Sequence, residues 1–160
     1  MLAAKQKKQA AAQSCGCPGA RSAAIRRPQT AETPDAARTE SQLTQWPVQI
    51  KLAPVKAPYF DGAHLLIAAD CTAYAYGSFH QDFIRGRIAL IGCPKLDAQD
   101  YAQKLAAILA GNDVKSVTVA RMEVPCCGGI EQAARRAIAA SGKDLPCRVV
   151  TITTDGRIRE

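Results

Sequence analysis

The sequence predicts an α/β fold: a three-layer α/β/α sandwich of Rossmann or flavodoxin-like type, built on a mostly parallel sheet of about five strands. Three observations lead there. Short, continuously apolar runs recur through residues 46–160, and runs without polar alternation suit strands covered on both faces. Stretches of helical period separate them. The connections are short, as right-handed strand–helix–strand units require. Aromatics make up only 5% of the chain, so the core has to be built from Ala, Val, Ile and Leu.

Val48 to Leu52 is the first expected strand, ended by Pro54 and Pro58. Leu65 to Ala69 is a short apolar run closed by Asp70, and Arg87 to Gly92 repeats the pattern. Val114 to Val124 contains a further strand with Val117, Val119 and Met122 pointing inward, and Val149 to Ile152, rich in β-branched residues, is the last. Between them, Ser78 to Ile84 reads as a short helix. A longer one is expected with Asp97 as its N-cap and Asp100 in its first turn. Tyr101, Leu105, Ile108 and Leu109 form its apolar stripe and Gly111-Asn112 its stop. Ile130 to Ala140 is an Ala-rich helix ended by Ser141-Gly142.

At 160 residues the chain suits one domain, preceded by a different kind of segment. Residues 1–45 hold seven basic groups against three acids and almost no large apolar residue. Such a stretch buries too little surface to offset the entropy of ordering it, so 1–45 is expected to be a flexible basic segment and 46–160 the α/β domain. The basic segment lacks interleaved aromatics and the rest has no dense basic stripe, which disfavours nucleic acid as a partner. No apolar run approaches the length that spans a bilayer, so membrane insertion is not expected. Residues 1–31 contain no acid, as in an organelle transit peptide, but the Cys15-Gly16-Cys17-Pro18 cluster marks the segment as part of the working protein. The odd number of cysteines, seven, and the absence of a secretory signal favour a reducing, cytoplasmic setting.

The cysteines carry the chemistry. Cys71 follows the Leu65–Ala69 strand, Cys93 follows Arg87–Gly92, and Cys126 and Cys127 follow the Val114–Val124 segment. In a parallel sheet the carboxyl ends share one edge, where open α/β proteins build their sites. Four thiols from three strand exits are therefore expected to meet in one crevice. Thiolates are soft ligands for iron and zinc. Structural zinc favours paired C-x₂₋₄-C knuckles, and none occurs among these four, so an iron–sulfur cluster fits better. Cys17 is a candidate further ligand, Cys15 a lesser one, and His80 an outer donor or a surface histidine. Cys147 is expected to be an inert buried thiol and His64 has no assigned role. Lys95 reads as solvated, and Tyr74 and Tyr76 either wall the site or pack. There is no P-loop, G-x-G-x-x-G, H-E-x-x-H or nucleophile elbow. Two rival readings use the same thiols: a zinc-binding protein-interaction module, and a thiol-based redox enzyme acting through Cys71 or the Cys126-Cys127 pair.

Several motifs in order resemble the C-terminal half of bacterial iron–sulfur proteins related to ferredoxins. They are Glu40-Ser41-Gln42-Leu43 and Gln45-Trp46-Pro47-Val48-Gln49, then Ala57-Pro58-Tyr59-Phe60 and Leu66-Ile67-Ala68-Ala69-Asp70-Cys71. Ile91-Gly92-Cys93-Pro94-Lys95-Leu96-Asp97 and Glu123-Val124-Pro125-Cys126-Cys127-Gly128-Gly129 follow, with Cys17-Pro18-Gly19 matching the start of that half. More loosely, cysteines at successive strand ends resemble the small iron–sulfur subunit that links hydrogenases to partner reductases. The resemblance implies a bound cluster, 4Fe-4S rather than 2Fe-2S, electron transfer in an anaerobic bacterium, and Cys17, Cys71, Cys93, Cys126 and Cys127 as ligands. Members of that family usually begin with a ferredoxin domain bearing C-x₂-C-x₂-C-x₃-C-P repeats, which this sequence lacks. The electron partner is then expected on a separate ferredoxin-like protein or a hydrogenase or reductase subunit, unless the chain is a shortened one.

Overall fold

A computed structural model describes residues 39–159. Four parallel strands and one antiparallel strand form a single sheet, in the order β2-β1-β3-β4-β5. The strands are β1 (His64–Ala69), β2 (Ile88–Gly92), β3 (Ser116–Met122), β4 (Cys147–Ile152) and β5 (Ile158–Arg159). β1 lies between β2 and β3 with both its faces covered, so its run Leu65-Leu66-Ile67 is wholly apolar and fully buried. Each such side chain removed from water is worth about 1.5–3 kcal/mol.

The helices are α1 (Thr72–Ala75), α2 (Tyr101–Gly111) and α3 (Gly128–Ser141). Because the chain moves from β1 outward to β2 and then back across β1 to β3, right-handed crossovers put the β1–β2 connection on one face and α2 and α3 on the other. α2 buries Tyr101, Leu105, Ile108 and Leu109, while α3 buries Ile130, Ala133, Ala134 and Ala137. The small alanines let α3 lie close to its neighbours. The β1–β2 connection carries α1 and a five-residue π-helical turn, His80–Ile84, with Phe79 stacked on Phe83 at 5.0 Å between centroids.

The architecture matches the expected α/β sandwich, and several details differ. Val48 to Leu52 is not a strand. It makes one parallel bridge, Gln49 to Ile91, and then turns, because both Leu52 and Ala53 donate their N–H to the Gln49 carbonyl. The fifth strand is instead the short β5, which pairs antiparallel with β4 through Thr151–Arg159 and Ile152–Ile158. Asp100, not Asp97, caps α2, accepting the Ala102 N–H at 2.9 Å. The expected helix over 78–84 is a single wide turn, and α3 begins at Gly128, two residues before the expected start. Order also precedes Trp46: the Gln42 N–H donates to His80 Nδ1 at 3.0 Å, and buried Gln45 bonds the main chain of Ala89.

No helix among the described residues is long and apolar enough to cross a membrane.

Candidate functional site: a thiol crevice at the carboxyl edge

Three strand exits build the site. After β1 the Asp70 N–H still bonds the Gly92 carbonyl at 3.0 Å, so the β1 and β2 chains leave the sheet side by side. Cys71 follows at the N-cap of α1, and Cys93 follows directly on β2. After β3 the chain makes a 3₁₀ turn, Pro125–Cys127, that leads straight into α3 with Cys127 at its N-cap. The N-terminal end of a 14-residue helix thus lies beside the Cys126-Cys127 pair, where the helix dipole favours negative charge.

The four thiols of Cys71, Cys93, Cys126 and Cys127 line one crevice of about 370 Å³, together with the Met122 thioether. Leu96, Val124 and Thr154 complete its walls and Lys95 also lines it. It lies outside the gap between β1 and β3, where the order of strand addition reverses, the usual place for a ligand site in an open α/β sheet. All four cysteines are free, the adjacent pair included. Cys71 is exposed, Cys93 and Cys126 are half-buried, and Cys127 is buried.

Close packing fixes these positions. A methyl group on Gly129 would come within 3.0 Å of Pro94 Cβ, so the Cys93 loop is pressed against the start of α3. On the other side of that loop, Tyr101 lies over Gly92, with its hydroxyl 2.6 Å from where a β-carbon would stand. The hydroxyl donates to Asp97 and accepts from the Cys93 main chain. Asp97 in turn takes an ion pair from Lys51 at 3.5 Å and donates its own N–H to the Cys93 carbonyl at 2.9 Å. Cys93 is therefore held through both its N–H and its C=O.

The thiols sense one another. Burial pushes the Cys71 thiol up from its ordinary range, and the charges of Cys93, Asp70 and Cys126 add to it. Burial likewise raises Cys127, helped by Cys126, Cys71 and Cys93 and opposed by a hydrogen bond from the Met122 main chain. Asp70 beside them is raised by burial and by Asp97, against a hydrogen bond from Gln49, and its Oδ1 is buried without a partner. Ionised together, these groups repel, and a bound cation is what relieves such a cluster. Among the described residues, however, no three His, Cys, Asp or Glu side chains are grouped tightly enough to hold a single metal ion.

The other sequence candidates separate cleanly. His80 accepts from Gln42 and His64 pairs with Ser116 at 2.7 Å, and neither lines the crevice. Tyr74 is 93% exposed, while Tyr76 donates to Asp82 and packs edge-on against Phe83. Asp97 serves the Cys93 loop instead of capping α2. Cys147 is half-buried at the start of β4, on the far edge of the sheet. Cys15 and Cys17 lie outside the described residues. Sequence reasoning missed Tyr101, Asp70 and Glu123 as site-building residues. Glu123 accepts the Thr154 N–H at 3.0 Å and so draws the β4–β5 turn against the crevice. The signal available for Asp70 and Glu123 was their adjacency to Cys71 and to the Val124-Pro125-Cys126-Cys127 run.

The fold and site define an open α/β protein with a sulfur-lined crevice at its switch point. Residues 57–160 match the Rossmann-like domain family, and the chain belongs to it. It is also similar to an uncharacterized protein of Archaeoglobus fulgidus, with 31% identity over 118 residues that cover 73% of this chain and 83% of the other. No solved structure matches it.

Proposed function

We propose that this protein holds an iron–sulfur cluster of 4Fe-4S type on Cys71, Cys93, Cys126 and Cys127 and transfers electrons to a partner docked over the crevice. The observation that carries the reading is the convergence of four free thiols from three strand exits on one crevice. The donor set fits such a group. It is sulfur throughout, and soft donors select iron–sulfur clusters, zinc or copper over hard cations. A tetrahedral zinc ion would draw its sulfurs to about 3.8 Å from one another, given Zn–S bonds of about 2.3 Å. Four ligands scattered over three strand exits, two of them an adjacent Cys-Cys pair, lack the paired knuckles of structural zinc and would suit a cluster better.

When bound, the cluster would supply one-electron redox chemistry. The chain's own groups do the rest. The Met122 main chain bonds the Cys127 sulfur, Tyr101 and Asp97 hold Cys93, and the start of α3 favours the negative charge of the sulfurs. Leu96 and Val124 keep the walls apolar. The likeness to ferredoxin-related iron–sulfur proteins supports the reading and suggests a ferredoxin-like protein, or a hydrogenase or reductase subunit, as partner in an anaerobic cytoplasm. Cys17 is the candidate for an additional ligand. A thiol enzyme is disfavoured by the upward shift of Cys71 and Cys127, the reverse of what an activated nucleophile needs.

Anaerobic reconstitution with ferrous iron and sulfide tests the proposal. The expected product is brown, with about four irons and as much acid-labile sulfide per chain, and a characteristic paramagnetic signal on reduction. Serine at Cys71, Cys93 or Cys126 should abolish most of the loading, whereas Cys147→Ser should leave it intact. A colourless, iron-free protein after reconstitution rejects the reading, and zinc at one per chain without sulfide replaces it with a zinc module.

A further inference from the structure

Eight arginines lie among the described residues. Five of them, Arg121, Arg135, Arg136, Arg157 and Arg159, pair with a carboxylate. Arg85, Arg87 and Arg148 have no carboxylate partner among the described residues, and these three line two adjoining pockets, a trough in two parts. One part of the trough, about 260 Å³, is lined by Arg85, Arg87, His64 and Ser116. The other, about 150 Å³, is lined by Arg87, Arg148 and Asp82 together with the apolar Phe83, Val150 and Ile158, and the two share Arg87 and Thr118.

The topology brings these residues to one face. Arg121 reaches α3 through Glu131, so Thr118, three residues earlier on β3, faces the opposite side of the sheet. Arg148 is directly opposite Thr118 in register and shares that side. There, among the described residues, Thr118 and Arg148 line a pocket together with Arg87 of the β1–β2 connection. His64 and Ser116 begin β1 and β3, so the trough sits at the amino edge, away from the thiol crevice.

The groups are organised for an anion. Arg87 is anchored through one nitrogen by the carbonyls of Asp82 and Phe83, at 3.2 and 2.9 Å. His64 is oriented by the bond from its Nδ1 to Ser116. The one acid in the second part, Asp82, already accepts the Tyr76 hydroxyl at 2.7 Å. Three guanidiniums against the single Asp82 carboxylate leave the trough with net positive charge, and an oxyanion that takes several of their N–H groups at once offsets it.

The geometry points to a second binding site, for a phosphate-bearing anion, formed by Arg85, Arg87, Arg148, His64, Ser116 and Thr118. It does not depend on what the thiol crevice holds. Calorimetric titration at low ionic strength with inorganic pyrophosphate and, separately, with a nucleoside diphosphate tests it. Both should bind with saturation, equal affinity indicating a free inorganic anion and tighter nucleotide binding a phosphate ester. Arg148→Ala and Arg85→Ala replace exposed side chains and should fold normally, each weakening binding about tenfold. Arg136→Ala, which removes one positive charge from the other face, should leave binding unchanged. No saturable binding of either probe, or an equal loss in Arg136→Ala, overturns the site.

Discussion

Pro94 and Gly129 pack so closely that a side chain on the glycine would push Pro94 back by a few tenths of an ångström: its missing methyl would lie 3.0 Å from Pro94 Cβ and 3.3 Å from Cγ. The contact joins the residue after Cys93 to the second residue of α3, and so sets the separation between Cys93 and the Cys126-Cys127 pair.

Gly129→Ala should therefore uncouple stability from loading. Alanine is favoured over glycine in a helix by about 1 kcal/mol, which offsets much of the crowding. Urea unfolding is expected to stay within about 1 kcal/mol of the parent, while iron content after reconstitution falls markedly. Unchanged loading would mean that the loop can retreat without moving Cys93.

Tyr101→Phe removes a hydroxyl that both donates to Asp97 and accepts from Cys93. The ring still covers Gly92, so the fold should survive with a loss of about 1–2 kcal/mol. In the reconstituted protein the reduction potential is expected to shift, because the Cys93 amide is released beside its own sulfur. Gly92→Ala should be far more damaging, since it drives a methyl into the same hydroxyl.

Cys71 is exposed, yet its thiol is raised by partial desolvation and by the charges around it. At pH 8 less of it is thiolate than in a free cysteine, so the reduced, metal-free protein should alkylate at Cys71 more slowly than a model thiol. The rate should go on climbing above the ordinary thiol range. Asp70→Asn, by removing one of those charges, should speed it. Mass spectrometry of time-resolved alkylation reads both effects.

Glu131 is held below the usual carboxylate range, first by its hydrogen bond from Arg121 and then by Arg135. A lowered carboxylate adds stability above its unfolded-state value and loses it as the pH falls through the folded one. Glu131→Gln should thus lower stability by about 1 kcal/mol at pH 7, with the difference vanishing in acid. Denaturation at a series of pH values checks this, and a constant difference would contradict it.

Much of this architecture is legible in the amino-acid order because the central strands are buried on both faces, which leaves no room for polar alternation. Leu65-Leu66-Ile67 and Ile88-Ala89-Leu90 announce themselves for that reason. Val48 to Leu52 misled because apolarity alone does not distinguish a strand from a segment that bridges once and turns into Ala53 and Pro54. β5 was invisible: two exposed residues at a sheet edge carry no hydrophobic signature. The thiols were found from their place after each strand, since the carboxyl edge is common to all parallel neighbours. Tyr101 was read only as part of the α2 stripe, because its hydrogen bonds reach across to a loop that no local periodicity describes. Arg85 and Arg87 sit two residues apart, but Arg148 comes from a distant strand and joins them only after the sheet assembles.

The spread of the four thiols over three separate strand exits bears on how the proposed cluster would be acquired. A zinc finger carries its ligands as close pairs within one short peptide and can fold around its ion. Here no short peptide of the chain contains the whole set, so the unfolded polypeptide has no chelating pocket to offer. On the proposed reading, the fold would have to form first and receive its cluster afterwards, so loading would depend on the stability of the empty scaffold.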